Sequence, residues 1–215
     1  LESTHSQAYD TLAPTETPDA RLAEDTGVDG DGITSVAGII DPTTNAGAST
    51  QYRLVNADTG AELHGWGSYQ APTTDGNYEL YVRQQDAGGN NSAEQRITFT
   101  LDTVAPVFTE GGSHEAYVII GDDNAYTAVA SDTDSNLVYS LAETGDWDLF
   151  NIDSDSGALT YKQSTTTADI HTVTIIATDR AGNFSEQTVT LNVVAELTVA
   201  ITDDAASAVT NQPVT

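Results

Sequence analysis

Asp86-Ala87-Gly88-Gly89-Asn90-Asn91-Ser92 returns as Asp179-Arg180-Ala181-Gly182-Asn183-Phe184-Ser185, 93 residues further along the chain (86 to 179). A second marker keeps step with it. Asp10-Thr11-Leu12-Ala13-Pro14 returns as Asp102-Thr103-Val104-Ala105-Pro106, 92 residues on (10 to 102). Two independent markers with nearly one period indicate tandem units, each close to the roughly 100 residues of a small β-sandwich. Between the markers the chain alternates apolar with polar residues: Tyr52-Arg53-Leu54-Val55, Tyr78-Glu79-Leu80-Tyr81-Val82-Arg83, Arg96-Ile97-Thr98-Phe99-Thr100-Leu101, Leu137-Val138-Tyr139-Ser140-Leu141, Val173-Thr174-Ile175-Ile176-Ala177 and Val189-Thr190-Leu191-Asn192-Val193. Period-2 runs rich in Val, Ile, Thr and Tyr, separated by Gly, Asn and Asp, predict strands. Each DxxGN motif joins two such runs and reads as the turn between the last two strands of its unit. Each DTxAP motif follows the final strand, where Pro ends sheet pairing and stiffens a short linker.

The expected fold is all-β, a tandem pair of Greek-key β-sandwiches over residues 15–104 and 105–195. Residues 1–14 read as the tail or linker of a preceding domain. Residues 196–215 read as the start of a truncated third, immunoglobulin-like domain, because a new alternating run, Leu197-Thr198-Val199-Ala200-Ile201-Thr202, begins directly after the second unit. A single strand cannot bury its face without a neighbour.

The charge balance narrows function. Thirty-three acidic residues stand against six basic ones, a formal charge of -27. This excludes nucleic acid, whose phosphates need Lys and Arg, and opposes binding to an anionic bilayer. No apolar run reaches the ~20 residues of a membrane-spanning helix, so direct insertion is not expected. Excess acid serves either as a solubilising surface or as sites for cations. The chain has no Cys. Secreted domains often depend on disulfides, and without them a metal ion is the obvious alternative staple.

The second unit resembles bacterial cadherin-like domains. Ala130-Ser131-Asp132-Thr133-Asp134, Leu137-Val138-Tyr139-Ser140-Leu141, Phe150-Asn151-Ile152-Asp153 with Ser156-Gly157-Ala158-Leu159, and Ala177-Thr178-Asp179-Arg180-Ala181-Gly182-Asn183 carry the likeness. The first unit is similar to bacterial immunoglobulin-like repeats that end in DxxGNxS and then LDTVAP. Such repeats are strung together in large RTX-type adhesins and biofilm proteins exported by type I secretion. The resemblance implies a monomeric extender or adhesion segment on the bacterial cell surface. Its partners would be the neighbouring domains of one long chain, with a cell-surface glycan or protein as a further candidate. The glycine-rich nonapeptide of RTX calcium rolls is absent.

Topology gives the aspartates a common location. With seven antiparallel strands A to G, the A–B loop and the exit of G share one end of a sandwich, and the B–C and F–G loops share the other. The first unit's A–B loop is Asp25-Thr26-Gly27-Val28-Asp29-Gly30-Asp31-Gly32, and Asp102 lies at its G exit. The second unit brings Asp132 and Asp134 on its B–C loop and Asp179 on its F–G turn. Stacked end to end, Asp25, Asp29, Asp31, Asp102, Asp132, Asp134 and Asp179 meet at one junction. Ca2+ takes six to eight oxygens, many from carboxylates, and a metal-free convergence of this kind is repulsive. Asp10, Asp86 and Asn90 are weaker candidates for the same arrangement toward a preceding domain. Asp122, Asp123, Glu196, Asp203 and Asp204 are weaker candidates toward a following one. An EF-hand reading of residues 25–32 fails, because Gly27 and Gly38 fall where acids are required. Asp153-Ser154-Asp155-Ser156-Gly157 reads as a hairpin turn.

No catalytic constellation emerges. The one lysine is Lys162, and His5, His64, His114 and His171 have no metal-ligand spacing. His171, at the start of a strand, reads as a surface residue. His64-Gly65-Trp66-Gly67-Ser68-Tyr69 suits a sugar-stacking platform, and Asp146-Trp147-Asp148 a calcium-assisted ligand site. The favoured expectation is that Trp66 and Trp147 are core and that Tyr69 covers an edge.

Overall fold

The computed structural model describes residues 10–133 and 136–196. The expected third-unit strand, together with Asp203 and Asp204, lies outside these residues, as does Asp134. The described chain is all-β apart from one 3-10 turn at Trp147–Leu149.

The first unit holds β1 (Arg21–Leu22), β2 (Ile33–Thr34), β3 (Ile39–Ile40), β4 (Ser49–Asn56), β5 (Glu62–Gly67), β6 (Gly76–Gln85) and β7 (Gln95–Leu101). A five-stranded sheet in the order β2-β7-β6-β4-β5 faces the short β1-β3 pair. Alternation decides the inner face. Tyr78, Leu80 and Val82 of β6 are buried, together with Tyr52 and Leu54 of β4 and Phe99 and Leu101 of β7. The second unit holds β8 (Val107–Phe108), β9 (Ser113–Ile119), β10 (Asn124–Thr127), β11 (Ala130–Ser131), β12 (Val138–Gly145), β13 (Phe150–Ile152), β14 (Ala158–Tyr161), β15 (Asp169–Thr178) and β16 (Phe184–Val194). Its sheets run β12-β15-β16-β9 and β10-β14-β13, with a β11-β8 pair. Val173, Ile175 and Ala177 meet Val189, Leu191 and Val193 over a separate core that includes Phe108, Phe150 and Leu159. The fold is thus two tandem β-sandwiches, each with its own apolar centre.

Several expectations change. The strands are not all antiparallel: β2 runs parallel to β7, and β9 parallel to β16. Residues 25–32 therefore join β1 to β2 and carry the chain from one sheet to the other, instead of linking two antiparallel strands as the A–B loop. They still sit at the exit of β7, because Ile33 pairs with Thr100. Trp66 is not core. It stands on the outer face of the five-stranded sheet, with the Arg83 guanidinium 4.0 Å from its ring centre. Trp147 and Tyr69 do pack against the cores, half-buried. His171 is not a surface residue: its ring packs edge-on against Phe150 and Tyr161. Residues 153–157 form the expected turn, with Asp153 Oδ1 accepting from the amides of Asp155 and Ser156.

Leu191 is fully buried in the second core. Leu191→Ala is expected to destabilise that unit by about 2–5 kcal/mol. Calorimetry in chelator should show a lowered transition for the second unit and an unmoved one for the first, since the cores share no residue.

Candidate metal centre

Asp102, Asp132 and Asp179 come together. One carboxylate oxygen from each lies within 4.8 Å of the others. Asp102 follows β7, Asp132 follows β11, and Asp179 opens the β15–β16 turn, so the cluster sits where the first unit hands over to the second. Asp102 is 8% exposed and Asp179 3% exposed, which rules out full hydration of either charge.

Local hydrogen bonding holds the acids in position. The Thr34 carbonyl accepts from the Asp102 amide at 3.0 Å, extending the β2–β7 pairing beyond the strand. Asp102 Oδ1 accepts from the Val104 amide at 3.1 Å, forming an Asx turn into the linker. Asp179 Oδ1 accepts from the Asn183 amide at 2.8 Å, and Oδ2 from the Asn183 side chain at 2.9 Å. The same Asn183 side chain donates to the Asp102 carbonyl at 3.0 Å, joining the two units through one amide.

The backbones of the units also touch. Val28 donates to the Arg180 carbonyl at 3.0 Å, and the Thr26 hydroxyl to the Ala181 carbonyl at 2.5 Å. The approach is close enough that a Cβ on Gly27, whose φ is +74°, would lie 2.1 Å from the Arg180 oxygen. Gly182, at φ +85°, faces it from the other side, where a Cβ would lie 3.0 Å from the Gly27 nitrogen. Both positions need glycine for conformation and for space.

The acids of residues 25–32 lie beside this cluster and make bonds of their own. Asp25 Oδ2 accepts from the amides of Gly30 and Gly32 at 2.8 and 3.2 Å, closing its own loop, while its Oδ1 is buried without a hydrogen-bond partner. Asp31 Oδ2 accepts from Arg180 Nε and a terminal nitrogen at 3.0 and 2.9 Å, and Asp31 Oδ1 accepts from the Ile33 amide at 2.8 Å. Asp29 is exposed. The sequence reading missed Arg180 as the junction's countercharge. The available signal was a rare cation placed inside the second DxxGN turn. It also missed Asp75, whose carboxylate accepts from Thr103 and adds to the field at Asp102.

The weaker candidates divide. Asp10, Asp86 and Asn90 reproduce the junction's bonds: Asp86 accepts from the Asn90 amide at 2.8 Å and its side chain at 3.0 Å, and Asn90 donates to the Asp10 carbonyl at 3.1 Å. Asp10 Oδ1 accepts from the Leu12 amide at 3.0 Å, as Asp102 does from Val104. Asp122 closes a turn onto the Asn124 amide, and Asp123 accepts from the Ser164 hydroxyl, near the exit of β16. Glu196 is exposed beyond that strand.

Burial pushes the Asp102 carboxyl above the usual carboxylate range, and Asp132, Asp179 and Asp75 add to this against the lowering by the Val104 amide. Three hard oxygen donors in such a field fit Ca2+, or another hard divalent cation, and no soft one. Asp102, Asp132 and Asp179 are the residues that would hold it.

Residues 11–103 match the family model of the bacterial Ig-like domain. No curated protein matches the chain. Solved structures similar to it include mouse clustered PcdhgC3 EC1-3, at 20% identity over 71% of this chain and 54% of that one, with a TM-score of 0.41. Drosophila N-cadherin EC1-4 is similar at 20% identity over 86% of this chain and 48% of that one, with a TM-score of 0.39. The chain spans about half the length of each of these two structures. Mouse Cadherin-23 EC22-24 is similar at 15% identity, covering 84% of this chain and 65% of that one, with a TM-score of 0.40. No helix among the described residues is long and apolar enough to cross a membrane.

The raised pKa of Asp102 fixes the sign of a pH effect. Stability from a carboxyl with a raised folded pKa is present in acid and is lost as pH rises through that value. In chelator at neutral pH, Asp102→Asn should therefore raise the melting temperature. In calcium the same variant should lose most of the calcium-dependent gain seen in the parent. Paired thermal melts with and without the cation read both signs.

Proposed function

We propose that this chain is a calcium-rigidified extender segment of a large bacterial cell-surface adhesin, with no catalytic role. The observation that carries this reading is the convergence of Asp102, Asp132 and Asp179 at the boundary of two separate cores. The three acids belong to the linker, the β11–β12 loop and the β15–β16 turn. A divalent cation there supplies the positive charge that offsets their repulsion. The chain's own residues do the positioning. Asn183 orients Asp179 against the Asp102 carbonyl, Val104 fixes the Asp102 carboxylate, and the Asp31–Arg180 pair sets the rotation of one unit on the other.

Serial use of the arrangement is supported by the matching bonds among Asp10, Asp86 and Asn90. A unit that presents one half of the junction at its start and the other at its exit suits an extended array. The bacterial Ig-like match of the first unit supports a place in such an array on a bacterial surface. Extracellular calcium modules bind at ~0.1–1 mM, and ligation at one hundred times the dissociation constant adds ~2.7 kcal/mol to the docked state. On this reading the segment is loose in the low calcium of the cell interior and stiffens after export.

Small-angle scattering tests the reading. In calcium the maximum dimension should be single-valued and long, and in chelator the distribution should broaden. Gly27→Ala, which drives a Cβ into the Arg180 carbonyl, should broaden it even in calcium while each unit keeps its own melting transition. Unchanged dimensions and melting on chelation would sink the proposal.

A further inference from the structure

Three of the chain's six basic residues stand on one face of one sheet. Alternation in β4 and β6 turns Leu54, Leu80 and Val82 into the first core and leaves Arg53, Tyr81 and Arg83 outside. Register then places Arg53 opposite Tyr81, Tyr81 opposite Arg96, and Gln51 opposite Arg83. Trp66 of β5 completes the row. Its ring centre is 4.0 Å from the Arg83 guanidinium and 5.4 Å from that of Arg53, which in turn lies 4.2 Å from the Tyr81 ring. The result is a stacked ladder, Arg83–Trp66–Arg53–Tyr81, with Arg96 exposed at its flank.

The charges of this ladder are not fully compensated. Arg53 faces Glu62 at 3.8 Å and Arg96 faces Glu79 at 3.2 Å. Arg83 pairs with no carboxylate among the described residues, although the chain has 33 of them. A ring and an amide hold it instead, with Gln51 Oε1 accepting from Arg83 Nε at 3.0 Å. Stacking fixes the plane of the guanidinium and leaves its outer N–H fork pre-oriented for an oxyanion. On a chain of charge -27, this is a local excess of positive charge.

We infer that the outer face of the first unit's sheet docks an acidic polysaccharide of the uronate type. Its carboxylates pair with Arg83 and Arg96, its hydroxyls bond to Thr98 at the same face, and its C–H groups lie against the free parts of Trp66 and Tyr81. A protein partner fits less well. Trp, Tyr and Arg also recur at protein interfaces, but here guanidinium groups overlie the rings and the large exposed apolar residue on β5 is Leu63 alone, which leaves little apolar surface for a protein core to cover. None of the face's residues belongs to the Asp102 cluster, so binding here is independent of the cation and of the extender reading.

Binding to polygalacturonate, with uncharged dextran and polyglutamate as controls, tests this on the whole chain. It is measured in chelator, so that calcium cannot bridge two acidic polymers. The chain should bind polygalacturonate but neither control, and more weakly as salt rises. Arg83→Gln should weaken binding about tenfold, the loss of one charged hydrogen-bonding partner. Arg83→Lys should not restore it, because an ammonium lacks the planar fork. Arg96→Gln, at an exposed site, should weaken binding with no change in melting. Three outcomes overturn the inference: no binding to polygalacturonate, equal binding to dextran or polyglutamate, or parent-like binding by an Arg83→Gln/Arg96→Gln double variant that melts like the parent.

Discussion

Three carboxylates forced together at a half-dry boundary are the constraint on which the rest of the arrangement turns. Burial disfavours the charged form of Asp102 most, and the like charges of Asp132 and Asp179, with carboxylate oxygens within 4.8 Å, add to it. Neighbouring hydrogen bonds hold the acids in place. Asn183 and the Val104 amide orient the oxygens, while Arg180 pairs with Asp31 across the junction. The Gly27–Gly182 contact brings the two backbones close enough for this geometry to exist. The docked state is thus built from contacts that favour it and a cluster of carboxylates whose repulsion, on the proposed reading, a cation offsets.

Much of the fold could be read from the chain itself, because alternation in β4, β6, β7, β15 and β16 is long and regular, and because the DxxGN turn repeats bond for bond. What escaped the reading has physical causes. The strands that switch sheets, β1, β2, β3 and β8, are two residues long, too short for any period to register. The parallel sense of β9, seven residues long, escaped for another reason: alternation looks the same whichever way the neighbouring strand runs. Trp66 was expected inside because large aromatics usually are buried, yet stacking on Arg53 and Arg83 gives it an equivalent shelter outside. His171 reads as a surface residue because it stands at the start of a strand, but β15 already begins at Asp169 and the ring packs edge-on against Phe150 and Tyr161.

The acids teach a similar lesson. Asp25, Asp31, Asp102, Asp132 and Asp179 are one residue type, and Asp both shapes turns and binds cations. Topology alone could bring them to one end of a sandwich, and it did so for Asp102, Asp132 and Asp179. It could not show that Asp25 would fold back onto Gly30 and Gly32, or that a single arginine would claim Asp31. Those bonds of a few ångströms lie below what the order of strands can reveal. The chain's charge is also sorted in space: acids gather at the junction, while half the cations gather on an outer sheet face.

The central claim is that the Asp102, Asp132 and Asp179 oxygens hold calcium. Anomalous scattering from crystals grown with calcium addresses it most directly. The account predicts an anomalous peak at ligand distance, 2.3–2.6 Å, from the carboxylate oxygens of Asp102, Asp132 and Asp179. A well-ordered junction with those three side chains in view and no peak between them would contradict it.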